Sequence, residues 1–143
     1  MDCPFCSIAN HSTGAEILYE TDEAISFLDH RPIAKGHALV ASKAHYHDIY
    51  DIKLETLYEV YRIAQIISRV LRDLYRPEGV NLIQNNGENA GQTVFHFHVH
   101  IIPRYDSAYN KVLEKVARKR VQVDESVLAP IGNHIRERLK SLR

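Results

Sequence analysis

Residues 96–102 read His96-Phe97-His98-Val99-His100-Ile101-Ile102, with histidine alternating strictly with apolar side chains. Side chains on a strand point alternately to its two faces. The pattern therefore predicts one strand, Thr93 to Ile102, with three imidazoles on one face and Phe97, Val99 and Ile101 on the other. A buried strand has no structural use for three aligned imidazoles, because each brings two polar nitrogens that must find partners. The row points to chemistry. The stretch in front of it, Asn85 to Thr93, is rich in Gly and Asn and sets flexible backbone and amide groups beside the imidazoles.

The 143 residues suffice for one compact domain with a sizeable core. Eighteen basic and 18 acidic side chains give a net charge of zero, which argues against a protein held to nucleic acid by bulk electrostatics. No apolar run approaches the about 18 residues of a membrane span, so no membrane partner is expected. Met1-Asp2-Cys3-Pro4 lacks the basic and apolar regions of a signal peptide. A cytoplasmic location is the expectation.

The rest of the chain reads as α+β with a mainly antiparallel sheet and one long helix. Ile17 to Glu20 and Ala24 to Leu28 are short apolar runs split by Thr21-Asp22-Glu23, a hairpin pattern. His37 to Ala41 reads as a strand, and Ala44 to His47 as a turn or short helix. From Lys53 to Tyr75 apolar residues recur every three or four positions, an amphipathic helix that Pro77 stops. Gly79 to Gln84 is the next strand. Ser107 to Arg120 and Ser126 to Leu142 read as further helices, the second interrupted near its start by Pro130 and Gly132.

Three readings of the histidine row compete. All three imidazoles on one zinc would need to span about 13 Å between the Cα atoms of His96 and His100, at about 3.3 Å per residue, with metal–nitrogen bonds of about 2 Å. That is the limit of imidazole reach. Three histidines in register as mere filler are uncommon. The third reading is a nucleophilic histidine: imidazole titrates near neutral pH and attacks phosphorus when its other nitrogen is held by an acceptor. Amides and a hydroxyl from Asn85, Gly91, Gln92 and Thr93 would then hold phosphate oxygens. Both cysteines stand together as Cys3-Pro4-Phe5-Cys6, too close to staple a secreted fold, leaving a redox pair, inert thiols or half a metal site.

The row, with Asn85-Asn86-Gly87 and Gly91-Gln92-Thr93-Val94 before it and Pro103-Arg104 after it, resembles the histidine triad (HIT) family of nucleotide hydrolases and transferases. Phe27-Leu28-Asp29, Lys35-Gly36-His37 and Lys43-Ala44-His45 resemble the family's earlier blocks. The resemblance implies a HIT-like fold over residues 1–143, with the motif-bearing core in 1–104 and a C-terminal segment of variable, specificity-related type in 105–143. It makes His98 the nucleophile, His100 a contact to phosphate and departing atom, and His37 an active-site neighbour. Gln92 and Thr93 match positions for phosphate or leaving group, and Asn85 one near ribose and phosphate. Asp29 falls where the family binds ribose hydroxyls, and Phe27 and His30 where the base packs. Asp29 also reads as a turn cap and Phe27 as core.

Some members carry an N-terminal Cys-x-x-Cys on a structural zinc, and Cys3, Cys6, His45 and His96 match that ligand set, with His47 competing for His45's place. The implied activity is hydrolysis of purine nucleotides at the α-phosphate, from a nucleoside phosphoramidate or adenylylated adduct. Dinucleoside polyphosphates are the alternative substrates, with magnesium on the substrate side. Transfer to another acceptor, or a binding or scaffold role with incidental hydrolysis, are further alternatives. Members are usually homodimers, with the long helix and a strand at the interface.

Overall fold

The structure, a computed structural model, describes residues 3–106 and 121–142. Its elements are α1 (Pro4–Ala9), β1 (Ile17–Glu20), β2 (Ala24–Leu28), β3 (Ala38–Ser42), α2 (Leu54–Tyr75), β4 (Gly79–Ile83), a 3-10 turn at Glu88–Ala90, β5 (His98–Arg104) and α3 (Glu125–Lys140). The strands form one antiparallel sheet in the order β1-β2-β3-β5-β4. The α+β architecture expected from the sequence is the one observed.

β5 lies between β3, with Ala41 opposite His98, and β4, with Ile83 opposite His100. One sheet face meets α2. Ala24, Leu28, Ala38, Val40, Phe97, Val99 and Ile101 pack there against Val60, Ile63, Ala64, Ile67, Val70 and Leu71 of the helix and Leu128, Ile135 and Leu139 of α3. Each Val, Leu, Ile or Phe among them, taken from water, contributes about 1.5–3 kcal/mol. The other face carries a smaller cluster, Phe5, Ile25, Phe27, Leu39 and Ala41, over which α1 lies. Both faces of β2 and β3 are thus covered, and all five residues of each strand are buried.

The histidine strand departs from expectation at both ends. It starts at His98 rather than Thr93, so only His98 and His100 belong to the strand. Ahead of it the Phe97 N–H donates to the Tyr46 carbonyl at 2.7 Å, and Gln92 ties the loop to the carbonyls of His47 and Val94. His96 is left outside the strand and buried. At the far end β5 runs through Pro103. β3 has already ended opposite Ile101, so Pro103 has a strand neighbour on one side only, a position proline tolerates.

No helix forms at 44–47, where the chain bends instead. α1 was not expected; Cys3 caps it, with its Sγ accepting the Cys6 N–H, and Pro4 occupies the first helical position. The helix expected over Ser107 to Arg120 lies outside the described residues. Among the described residues no helix is long and apolar enough to cross a membrane.

Candidate active site and metal centre

His98 opens β5 with its ring buried on the small-cluster side of the sheet. Its Nδ1 lies 2.7 Å from the His96 carbonyl oxygen, which can only accept, so Nδ1 carries the proton and donates. Nε2 is therefore the bare nitrogen. Burial pushes the His98 pKa below the usual histidine value, opposed by the bond to His96 and by the charge of Asp29. The ring is neutral in neutral solution. The rings of Phe5, at 4.8 Å, and His100, at 5.0 Å, stand nearly perpendicular to it.

A second hydrogen-bond chain fixes the protons of His37 and His100. The Ile33 main-chain N–H donates to His37 Nδ1 at 3.0 Å, so in the neutral ring the proton of His37 resides on Nε2. That nitrogen sits 3.0 Å from His100 Nδ1. His100 accepts there and presents its own N–H on Nε2. Asp29 Oδ1 accepts the Arg31 N–H at 2.7 Å, capping the turn, while Oδ2 approaches His37 Nε2 at 3.5 Å and His100 Nδ1 at 3.8 Å.

The loop before β5 is held by backbone that favours glycine, with Gly87 and Gly91 both at φ 92°. Gln92 is buried inside it. Its Oε1 accepts the Gly87 N–H at 2.7 Å, its Nε2 donates to the carbonyls of His47 and Val94, and its main-chain N–H donates to Gly87. No donor of Gln92 is left for phosphate. In this structure its side chain staples the loop. The Gly91 N–H is likewise used, on Glu88, and the Asn85 amide leans on the Gly91 carbonyl at 3.4 Å. Thr93 is exposed at the end of the same loop.

Phe27 is buried against Phe5, with ring centroids 5.4 Å apart. His30 is exposed, and its carbonyl accepts the Val123 N–H at 2.9 Å, which brings the chain leading into α3 alongside the 29–37 turn.

Among the described residues two clusters have metal-ligand spacing, and their protons separate them. Cys3, Cys6, His45 and His96 place one donor each within 4.8 Å of one another. Cys3 Sγ and His96 Nδ1 are 3.3 Å apart, as are Cys6 Sγ and His45 Nδ1. Zinc bonds of about 2.3 Å to sulfur and about 2.0 Å to nitrogen set tetrahedral neighbours at about 3.5 Å, so the four donors fit one ion with no open position. His96 Nε2 meets the Ser42 carbonyl at 2.6 Å, so its proton sits there and Nδ1 faces the thiols bare, as a metal-bound imidazole requires.

Asp29, His37 and His100 are as close together, but the Ile33 N–H keeps the His37 proton on the nitrogen a metal would need. That set suits a proton network. His47, the competing ligand, bonds Asp48 at 2.9 Å and stacks on Phe95, which leaves His45 the place beside Cys6.

Sequence reasoning missed Phe5, Ile33 and the main-chain carbonyls of Ser42 and His96. Main-chain groups leave no trace in side-chain identity. Phe5 had a visible signal, its place between the two cysteines.

A HIT-domain family model matches residues 11–107. Protein hit of Bacillus subtilis is 40% identical over 104 residues, 73% of this chain and 72% of that one. An Arabidopsis thaliana protein named adenylylsulfatase HINT3 is 30% identical over 141 residues, 99% of this chain and 71% of its own. The crystal structure of a zinc-bound histidine triad family protein from Mycobacterium smegmatis superposes with a TM-score of 0.81 at 33% identity, covering 99% of this chain and 96% of that one. The triad, its preceding loop and the sheet that carries them identify the chain as a member of the HIT family.

Proposed function

We propose that the protein is a purine nucleotide hydrolase that works through a covalent nucleotidyl-histidine on His98. The observation that carries this is the 2.7 Å bond from His98 Nδ1–H to the His96 carbonyl, which leaves Nε2 as a neutral nucleophile. In the first half-reaction Nε2 bonds to the α-phosphorus of a nucleoside phosphoramidate or adenylylated adduct, and the bond to the leaving nitrogen or oxygen breaks. The His100 Nε2–H, aimed by His37, donates to the departing atom as charge grows on it. Thr93 and Asn85 contact the phosphate, Asp29 the ribose, and Phe27 and His30 the base. In the second half-reaction water attacks phosphorus, the P–N bond to His98 breaks, and nucleoside monophosphate leaves. The name of the Arabidopsis relative, an adenylylsulfatase, supports cleavage at an adenylyl phosphorus. Magnesium enters only with a polyphosphate substrate. Zinc on Cys3, Cys6, His45 and His96 has a structural role.

The acting unit is a homodimer. On the α2 side of the sheet, Tyr58 and Tyr61 of the helix and Val80 and Leu82 of the edge strand β4 are exposed. The groove between helix and strand, about 200 Å³, is lined by Gln65, Arg69, Arg72, Val80 and Pro103 among others. An edge strand with apolar side chains on one face is a surface that a second copy covers.

The test is a single-turnover incubation with adenosine 5′-phosphoramidate, quenched by denaturation, with the protein weighed intact. The expected result is a mass increase of one AMP that His98→Ala abolishes. Consumption of substrate without an adduct on wild-type protein, or an adduct that survives His98→Ala, overturns the covalent route.

A further inference from the structure

We propose that Phe5 is a positioning residue for His98 and that the ligands on either side of it, Cys3 and Cys6, keep it there; the proposal rests on the reading of His98 as the nucleophile. The His98 Nδ1–H bond to the His96 carbonyl fixes the tautomer but constrains the ring through one atom only. The ring stays free to tilt about the line joining nitrogen and oxygen. Phe5 removes that freedom. Its ring stands 4.8 Å from the His98 ring at 79°, and it touches the His96 ring at 5.9 Å and Phe27 at 5.4 Å. It is 9% exposed, so it has little room to swing away. A nucleophile that must meet phosphorus in line loses rate when its lone pair is misaimed, even where binding is intact.

What holds Phe5 is unusual for a core residue. Its helix has six residues, too short to persist by its own hydrogen bonds. Among the described residues five buried ones make up the cluster it joins, against seventeen in the cluster on the other side of the sheet. The helix is instead anchored by the residues flanking Phe5. The Cys3 Sγ accepts the Cys6 N–H at 3.4 Å, and the two thiols reach His96 and His45 at 3.3 Å. His96 therefore acts on the nucleophile by two routes, through its own carbonyl and through the cysteines that place Phe5.

The experiment compares zinc-loaded full-length wild type, Phe5→Leu and Ile8→Ala, each with its zinc content measured. Ile8 packs on the same cluster from the same helix without an aromatic ring to set against His98, so Ile8→Ala reports the loss of apolar packing in that helix. Steady-state kinetics on adenosine 5′-phosphoramidate are paired with ¹⁵N imidazole spectra of His98. For Phe5→Leu we expect kcat to fall about tenfold with KM changed less than threefold, and His98 resonances broadened or shifted while one zinc per chain is retained. Ile8→Ala is expected to keep wild-type kcat and spectra.

A Phe5→Leu protein with wild-type kcat, or with raised KM and unchanged kcat as a pocket wall would give, overturns the proposal. So does an Ile8→Ala protein that loses as much. If wild type forms no His98 adduct, the functional reading fails by itself. The spectra still decide whether Phe5 orders the ring, and an unchanged His98 signal in Phe5→Leu overturns that too.

Discussion

The main-chain N–H of Ile33 reaches His37 Nδ1 at 3.0 Å, so an amide four residues upstream decides which nitrogen of His37 carries its proton. The choice passes on to His100, which accepts on Nδ1 and carries its proton on Nε2, the atom that faces the leaving group on the proposed route. His100→Ala removes that donor, and loss of one such donor costs roughly 10²-fold in kcat. The loss is expected with an amine leaving group and should nearly vanish with a nitrophenolate, which departs unaided. A plot of log kcat against leaving-group pKa for both proteins checks this.

On the proposed route the pH profile follows from the burial of His98. Burial holds the His98 pKa below the ordinary histidine value, so the neutral, reactive ring persists as pH falls through that value and is lost only below it. The acid limb of log kcat/KM should therefore lie below pH 6.5, with a flat profile across neutrality. Rates measured alongside bound zinc separate this limb from metal loss.

Zinc bound at the proposed site should stabilise the folded chain with the logarithm of its free concentration above Kd. At a free concentration a hundredfold above Kd, binding adds about 2.7 kcal/mol, which raises Tm by several degrees. Cys6→Ser and His45→Ala should lower the bound stoichiometry and abolish the rise. Calorimetry with and without a chelator reads both.

Gly36 tests the turn that delivers His37. It sits at φ +88°, and a Cβ there would fall 2.8 Å from Leu71 Cδ2. Gly36→Ala meets backbone strain and a core clash together, with an expected cost of about 2 kcal/mol. Urea denaturation should show a lowered midpoint with an unchanged slope.

For the homodimer, Leu82→Asp places a charge on the exposed edge strand while leaving the chain's own core intact. Light scattering should show the mass of a monomer for the variant and of a dimer for wild type.

The fold was legible where one periodicity dominated. The hairpin strands Ile17–Glu20 and Ala24–Leu28 were placed to the residue, and α2 to within one, because a single buried face sets each pattern. The histidine strand was misplaced because its alternation continues through His96 while its hydrogen bonds do not. The ring of His96 turns to the thiols, and the backbone there pairs with Tyr46 instead of extending the ladder. Cys3, Cys6, His45 and His96 were named together from the family resemblance, and their donor atoms do converge. The contacts of Gln92 were not legible, because its amide suits phosphate and loop carbonyls equally well, and only the folded loop shows that it meets the carbonyls of His47 and Val94.

The four donors of the proposed zinc site are spread widely along the chain: Cys6 lies 39 residues before His45 and 90 before His96. A chain made from its N-terminus exposes both thiols long before the last imidazole emerges. The four-donor cage cannot close during most of synthesis, and until it does the thiols are open to oxidation or to capture of the wrong metal. On the proposed zinc site, metal loading would mark a histidine strand that has folded, and the zinc content of a fresh preparation would measure how many molecules had reached that state.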